Sequence, residues 1–382
     1  MPQEVAPNLF LLNIPLPENP LKNLNAYLIR GEKGQRSLLV DTGFRRKECR
    51  VALLDQMREL KVDLPSTDIF LTHLHSDHSG LAAELAVPGV RIFISETDRV
   101  RLPGKDCIEN WDDSDTFLLE NGFSAAELAH IRQTNPARGY RPIPFDDYIG
   151  VEPGTILEYG GYHFEAIATP GHTLGHMCLY DAASRTMLLG DHVLFDITPN
   201  IATTFENRNS LGMYLDSLKR IRTYEVTLPL PAHRTVHTDM KARVDQILAH
   251  HDARCQEVLR ILAQTPGLNA YDITAQMTWK IRCRNWEEFP SSQRWFAVGE
   301  AISHLIYLDS IGKVGGPRCC KRDSWLAVQA AVDFVREHLG VEMQHSVPVC
   351  SYSARNSQCI GKRCPFSAAK QRALEAKTAP SF

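Results

Sequence analysis

The sequence predicts an α/β fold of αββα type, two packed sheets with helices outside, followed by a small helical winged-helix-like unit and a Cys-rich extension. Three observations carry this. Two groups of short apolar strands, each followed by helical patterning, lie before residue 240; the pattern turns helical from Met240; and half of the ten cysteines fall after Pro317. A length of 382 residues suits two domains plus an appendage, and an apolar share of 43% supplies a core.

In the first strand group, Ala26–Ile29 and Ser37–Val40 read as strands and the charged stretch from Arg46 to Leu60 as a helix. Asp68–Thr72 and Val90–Ser95 are two more strands. In the second group, Gly160-Gly161 marks a hairpin turn between Ile156–Tyr159 and Tyr162–Ala168. Met177–Tyr180, Thr186–Leu189 and Val226–Leu230 complete it. Between the groups, residues 102–150 are rich in Asp, Asn, Pro and aromatics. There Ser124-Ala-Ala-Glu127 is a capping box opening a short helix that ends before Asn135-Pro136. So long a connection reads as a helical insertion, either a lid or a surface excursion. These elements outline a domain over residues 1–240. Residues 241–316 follow with helices at Met240–Gln264, Asn269–Thr278 and Ser292–Leu308 and a short strand at Ile311–Val314. Residues 317–382 hold a short helix, Trp325 to His338, and the Cys-rich tail.

Charge narrows the function classes. A net charge of −3 gives no broad basic field, so nucleic acid is a poor fit as partner. No run approaches the roughly 18 apolar residues that cross a membrane. Met1 to Leu12 lacks the features of a secretory signal, so a cytoplasmic protein with reduced cysteines is expected. The sequence is silent on oligomeric state and leaves a homo-oligomer open.

The chemistry concentrates in Thr72-His73-Leu74-His75-Ser76-Asp77-His78, directly after a strand. Imidazole nitrogens and carboxylate oxygens are the donors that divalent ions take in catalytic sites. Three more such groups stand at Gly- or Pro-marked strand ends: His172 in Thr169-Pro-Gly-His172, Asp191 in Leu188-Leu-Gly-Asp191, and His233 in Leu230-Pro-Ala-His233.

This ordered set resembles the motifs of the metallo-β-lactamase superfamily, and Leu39-Val-Asp41-Thr-Gly43 matches its first motif; the resemblance covers roughly residues 8 to 240. It implies a metallo-β-lactamase sandwich in which His73, His75 and His172 hold one metal. Asp77, His78 and His233 hold a second, and Asp191 bridges them. Asp77 and Asp191 are the carboxylates it implies in catalysis, Asp41 supports the ligand loop from behind, and His176 is structural or supporting. His192 is expected to point away and His237 to be a polar loop residue. Two divalent ions sharing a carboxylate activate a bound hydroxide near neutral pH. Zinc is the expected ion, with iron and manganese tolerating the same donors. The flavin-linked diiron branch carries Glu where this chain has His75 and is disfavoured.

Within the superfamily, Thr169–His176 and Leu189-Gly-Asp191 resemble the hydroxyacylglutathione hydrolase-like branch, whose members cut thioesters. Trp295, Gly299-Glu300, His304-Leu305, Leu308 and Gly312-Lys-Val314 are similar to the winged-helix appendage in relatives of β-lactamase-like protein 2. A small acyl thioester or lactone therefore ranks first as substrate. Metal-dependent ribonuclease or phosphodiesterase activity is the alternative, opposed by Asp112, Asp113 and Asp115 and by only a modest basic cluster at Lys280–Arg284. In the tail, Cys350, Cys359 and Cys364 could hold a structural zinc or an iron–sulfur cluster, or be ordinary reduced thiols; their spacing matches no common signature.

Overall fold

The computed structural model describes residues 1–104, 111–134, 139–203, 209–280, 283–315 and 326–327. The tail cysteines Cys350, Cys359 and Cys364 lie outside the described residues.

Seven strands lie side by side in chain order: β1 (Gln3–Ala6), β2 (Leu9–Pro15), β3 (Asn23–Ile29), β4 (Ser37–Val40), β5 (Thr67–Phe70), β6 (Ile92–Ser95) and β7 (Tyr148–Val151). Pairing is antiparallel as far as β4 and parallel from β4 to β7. A second sheet holds β8 (Ile156–Tyr159), β9 (Tyr162–Ala168), β10 (Met177–Asp181), β11 (Thr186–Gly190) and β12 (Leu228–Pro231) in the order β12–β11–β10–β9–β8. It is antiparallel except for the β11/β12 pair.

Side-chain alternation builds two cores from these strands. Leu38, Val40 and Phe70 of the first sheet share one buried cluster with Leu157, Phe164, Leu179, Leu188 and Leu230 of the second. Leu39, Ile69 and Leu71 point the other way, into a cluster with Leu53 and Met57 of α1 (Lys47–Glu59). Residues of β4 and β5 are buried on both faces, which explains why they read as continuous apolar runs. At its second residue β5 carries a buried carboxylate. Asp68 takes bidentate contacts from Arg36 and Arg91 and a 2.7 Å hydrogen bond from the Tyr159 hydroxyl.

The other helices are α2 (Ser76–Ser79), α3 (Glu96–Arg99), α4 (Trp111–Glu120), α5 (Ala125–Thr134), α6 (Ser210–Ile221), α7 (Met240–Gln264), α8 (Ala270–Gln276) and α9 (Ser291–Ser310). The chain divides into two compact units: Met1–Asp113 with His130–His250, and Ser114–Ala129 with the chain from His251. In the second unit Asn269 caps α8 by accepting from the Asp272 N–H, and Glu127 accepts from Arg294 at 2.7 Å. A two-residue ribbon pairs β13 (Val314–Gly315) with β14 (Leu326–Ala327).

Several elements depart from the sequence reading. β1 and β2 were not foreseen; β1 is a four-residue edge strand, half of it polar, with no alternation to mark it. β7, inside the expected 102–150 insertion, extends the first sheet through its pairing with β6. Of the helix expected over Trp325–His338, Leu326–Ala327 instead extend against β13, and residues 328–338 lie outside the described residues. Among the described residues, no helix is long and apolar enough to cross a membrane.

Candidate metal centre

Every proposed ligand sits just past the C-terminal end of a strand. The turn after β5 supplies His73, His75, Asp77 and His78; the turn after β9 supplies His172; Asp191 follows the end of β11 and His233 the end of β12. The fold brings all seven together. Donor atoms of His73, His75 and His172 lie within 4.8 Å of one another, as do those of Asp77, His78 and His233, and those of His73, His78 and Asp191. Asp191 spans the two trios. Its Oδ2 lies 3.5 Å from His172 Nε2 and 3.6 Å from His78 Nε2, while Oδ1 lies 3.4 Å from His233 Nε2. Asp77 Oδ2 lies 3.4 Å from His233 Nε2.

These donors suit cations better than each other. His78 Nε2, His172 Nε2, His233 Nε2 and Asp191 Oδ1 are buried without a hydrogen-bond partner, although they face one another. Ligands about 2.0–2.1 Å from a tetrahedral ion stand roughly 3.3–3.4 Å apart, near the separations found here. The donor set therefore fits two divalent ions.

The outward ring nitrogens fix the inward lone pairs. His172 Nδ1 donates to the Asn200 carbonyl at 2.8 Å and His233 Nδ1 to the Asn23 carbonyl at 2.9 Å. His78 Nδ1 donates to Asp41 Oδ2 at 2.8 Å. Asp41, held at φ 64°, also accepts from the Thr72 N–H at 2.9 Å and from the Thr72 hydroxyl, so one carboxylate ties the base of the loop to a ligand ring. His176 sits outside the trios. Its Nε2 accepts from the Asp191 N–H at 3.1 Å and its Nδ1 bonds Thr169 Oγ1 at 2.7 Å, so it sets the backbone that presents Asp191. Gly190 precedes Asp191 at φ 51°, and a Cβ there would meet His176 Nε2 at 2.6 Å. His192 packs its ring against Tyr214, 5.1 Å between centroids, and His237 is mostly exposed beside Asp196.

Electrostatics separates the carboxylates from the imidazoles. Burial pushes Asp77 and Asp191 up, but the neighbouring histidines outweigh it and hold both below the usual carboxylate range, Asp77 at about 2. Burial drives His73 down and His75 to about 3, keeping both rings neutral and their lone pairs available. His78 is pressed down by burial yet raised well above its ordinary value by Asp41, Asp191 and Asp77.

Sequence reasoning missed several supports. Asn25, a polar residue in the apolar strand β3, donates to the carbonyls of Pro231 and Arg234 and accepts nothing from the ligands themselves. Tyr27 OH donates to the Pro231 carbonyl at 2.8 Å, so β3 holds the turn that bears His233. A buried Asn within an apolar run was the available signal. The Asn200 and Asn23 carbonyls carry none, because any residue has one.

Comparison with known proteins agrees with this geometry. A profile of the metallo-beta-lactamase superfamily matches residues 20–233, more than half of the chain, and one for a family of unknown function (DUF5714) matches residues 288–367. The chain is 25% identical over 272 residues to "Beta-lactamase-like protein 2 homolog" of Caenorhabditis elegans, covering 69% of this chain and 74% of that protein. It is 26% identical over 247 residues to "Atrochrysone carboxyl ACP thioesterase" of Emericella nidulans, covering 65% and 63%. The crystal structure of a beta-lactamase domain protein from Burkholderia ambifaria superposes with a TM-score of 0.73 at 28% identity, covering 86% of this chain and 94% of the other. On fold and on sequence, this chain belongs to the metallo-beta-lactamase superfamily.

Proposed function

We propose that the chain is a metal-dependent hydrolase of small acyl thioesters, with lactones as a related class. The observation that carries this reading is Asp191, one carboxylate facing His172 on one side and His78 and His233 on the other. When bound, two divalent cations, zinc by preference, supply Lewis acidity and make water more acidic. The ligand residues His73, His75 and His172, and Asp77, His78 and His233, would hold them.

The remaining chemistry belongs to the side chains. Among the ligand carboxylates Asp77 is the more open, its side chain 14% exposed against 9% for Asp191. We assign Asp77 the attacking water: the carboxylate oxygen not turned toward His78 and His233 orients the water and relays its proton to the leaving sulfur. The water oxygen bonds to the carbonyl carbon, the C–S bond breaks, and a carboxylic acid and a thiol leave. Near the ligands, Ser79 is committed to the Leu74 carbonyl at 2.7 Å, and burial pushes the Cys178 thiol up to about 12. Neither is an activated nucleophile, which supports water in that role.

Similarity to a thioesterase supports the substrate class. The β13/β14 ribbon after α9 supports reading the second unit as winged-helix-like. The buried thiols of Cys49, Cys178 and Cys255 suit a cytoplasmic setting.

The test is turnover of acyl thioesters, a lactone and a short RNA by protein stripped with a chelator and then reloaded with zinc. Thioester cleavage that is lost on stripping and restored on reloading is expected. RNA cleavage with no thioester turnover would replace this reading with the phosphodiesterase.

A further inference from the structure

Two separate turns carry the His73, His75 and His172 trio, and a single buried side chain joins them. Asp98 lies in α3, after β6, and is fully buried. Its Oδ2 accepts from the Leu74 N–H at 3.0 Å, between His73 and His75, and from the Thr173 hydroxyl at 2.8 Å, next to His172. Its Oδ1 accepts from the Gly175 N–H at 2.8 Å. Its own N–H donates to Ser95 Oγ at 3.1 Å, which fixes the first turn of α3 beneath the carboxylate.

The chemistry of the three donors explains why a carboxylate stands here. Two donors converge on one oxygen and a third on the other, and only an ionised carboxyl offers two acceptor oxygens with no donor. An amide would turn its NH₂ toward either the Gly175 N–H or the Leu74 N–H, so it would hold one turn and repel the other. Burial pushes the Asp98 carboxyl up to about 6, against the pull of these donors. Gly175 completes the picture: a Cβ there would collide with Ser95 Oγ and Asp98 Oδ1. The glycine of the His172–His176 stretch is therefore the space that admits Asp98.

We propose that Asp98 is a positioning residue, strapping the His73–His75 turn to the His172 turn so that this trio closes as one unit. The inference rests on the two-cation reading of the centre. His78, on the far part of the first turn, is held separately, through Asp41 and through the Thr42 contact to its carbonyl.

Zinc titration of the full chain against a competing chromophoric chelator tests it, with cobalt absorption spectra on the same samples. The wild-type chain is expected to bind two equivalents. Asp98→Asn, Asp98→Ala and Gly175→Ala should each weaken one equivalent by about 10–100-fold, the range for residues that orient metal ligands, and leave the other unchanged. Thr173→Val, a near-isosteric loss of one donor, should weaken the same equivalent by a smaller factor, and it decides the matter if the Asp98 variants do not fold. Fewer than two equivalents in the wild-type chain would overturn the two-cation reading itself. Two wild-type equivalents that stay unchanged in the variants, or that weaken equally, would overturn the strap alone.

Discussion

The two halves of the candidate centre are built in opposite ways. The first sheet supplies His73, His75, Asp77 and His78 from one turn of six residues, whereas the second supplies His172, Asp191 and His233 from three turns far apart in sequence. The contiguous half is positioned by its own strand and by Asp41 behind it. The dispersed half has no such local frame. Each ligand there leans on a neighbour: His172 on the Asn200 carbonyl, Asp191 on His176, His233 on the Asn23 carbonyl. A site can thus be concentrated in sequence on one side and assembled by topology on the other, and its tolerance to mutation should differ accordingly.

The strongest challenge to that comparison is Asp191→Ala, which removes the one residue both trios share. Turnover is expected to fall on the order of 10²–10⁴-fold with loss of metal content, read by kinetics and elemental analysis on the same sample. Retention of two tightly held metals would mean the halves do not depend on Asp191.

Next comes the anchor of the contiguous half. Asp68→Asn, at the opposite end of β5 from the ligands, should cost about 2–4 kcal/mol of stability, less than a wholly buried pair because Arg36 and Arg91 are partly exposed. Metal stoichiometry should stay at two. Arg91, Arg36 and Tyr159 outweigh the burial that pushes Asp68 up and hold its carboxyl far below the usual range. A lowered folded-state value means that this contribution is complete above the unfolded value near 4, and is lost as pH falls below it toward the folded value. The stability difference between wild type and variant, followed by denaturant melts, should therefore shrink only in acid.

Asp41→Asn sharpens the comparison further. An amide cannot accept from both the Thr72 N–H and His78, so metal affinity should drop about 10–100-fold by chelator competition, with the fold intact by circular dichroism. The smallest effect belongs to Thr169→Val, which removes the partner of His176 Nδ1. It should cost about 1 kcal/mol in a thermal melt and change turnover only a few-fold, because Asp191 itself remains.

The same contrast explains what was legible in the sequence. The contiguous turn announced itself through donor density within a few residues, and the apolar strands β5, β9, β11 and β12 led to each ligand. Asp98, Asn25 and Asp68 did not stand out, because the partners of each are distant in sequence: Asp98 meets Gly175 and Asp68 meets Tyr159 only after the sheets form. β1 and β7 were hidden for a different reason. Edge strands are solvated on one side and need no strict alternation, so neither has a pattern separating it from a loop.

The segment Ser114–Ala129, which belongs with the helices beyond His251, has a consequence for synthesis. Phe123 meets Tyr271, and Glu127 meets Arg294, 167 residues later. At about 5–20 residues per second, a ribosome needs roughly 8–35 s to make that stretch. During that interval Phe123 and Leu128, both buried in the finished chain, emerge before the residues that cover them. A nascent chain arrested ahead of α8 would present this face to chaperones, so ribosome pausing between residues 130 and 270 should govern the yield of the second unit more than that of the sandwich.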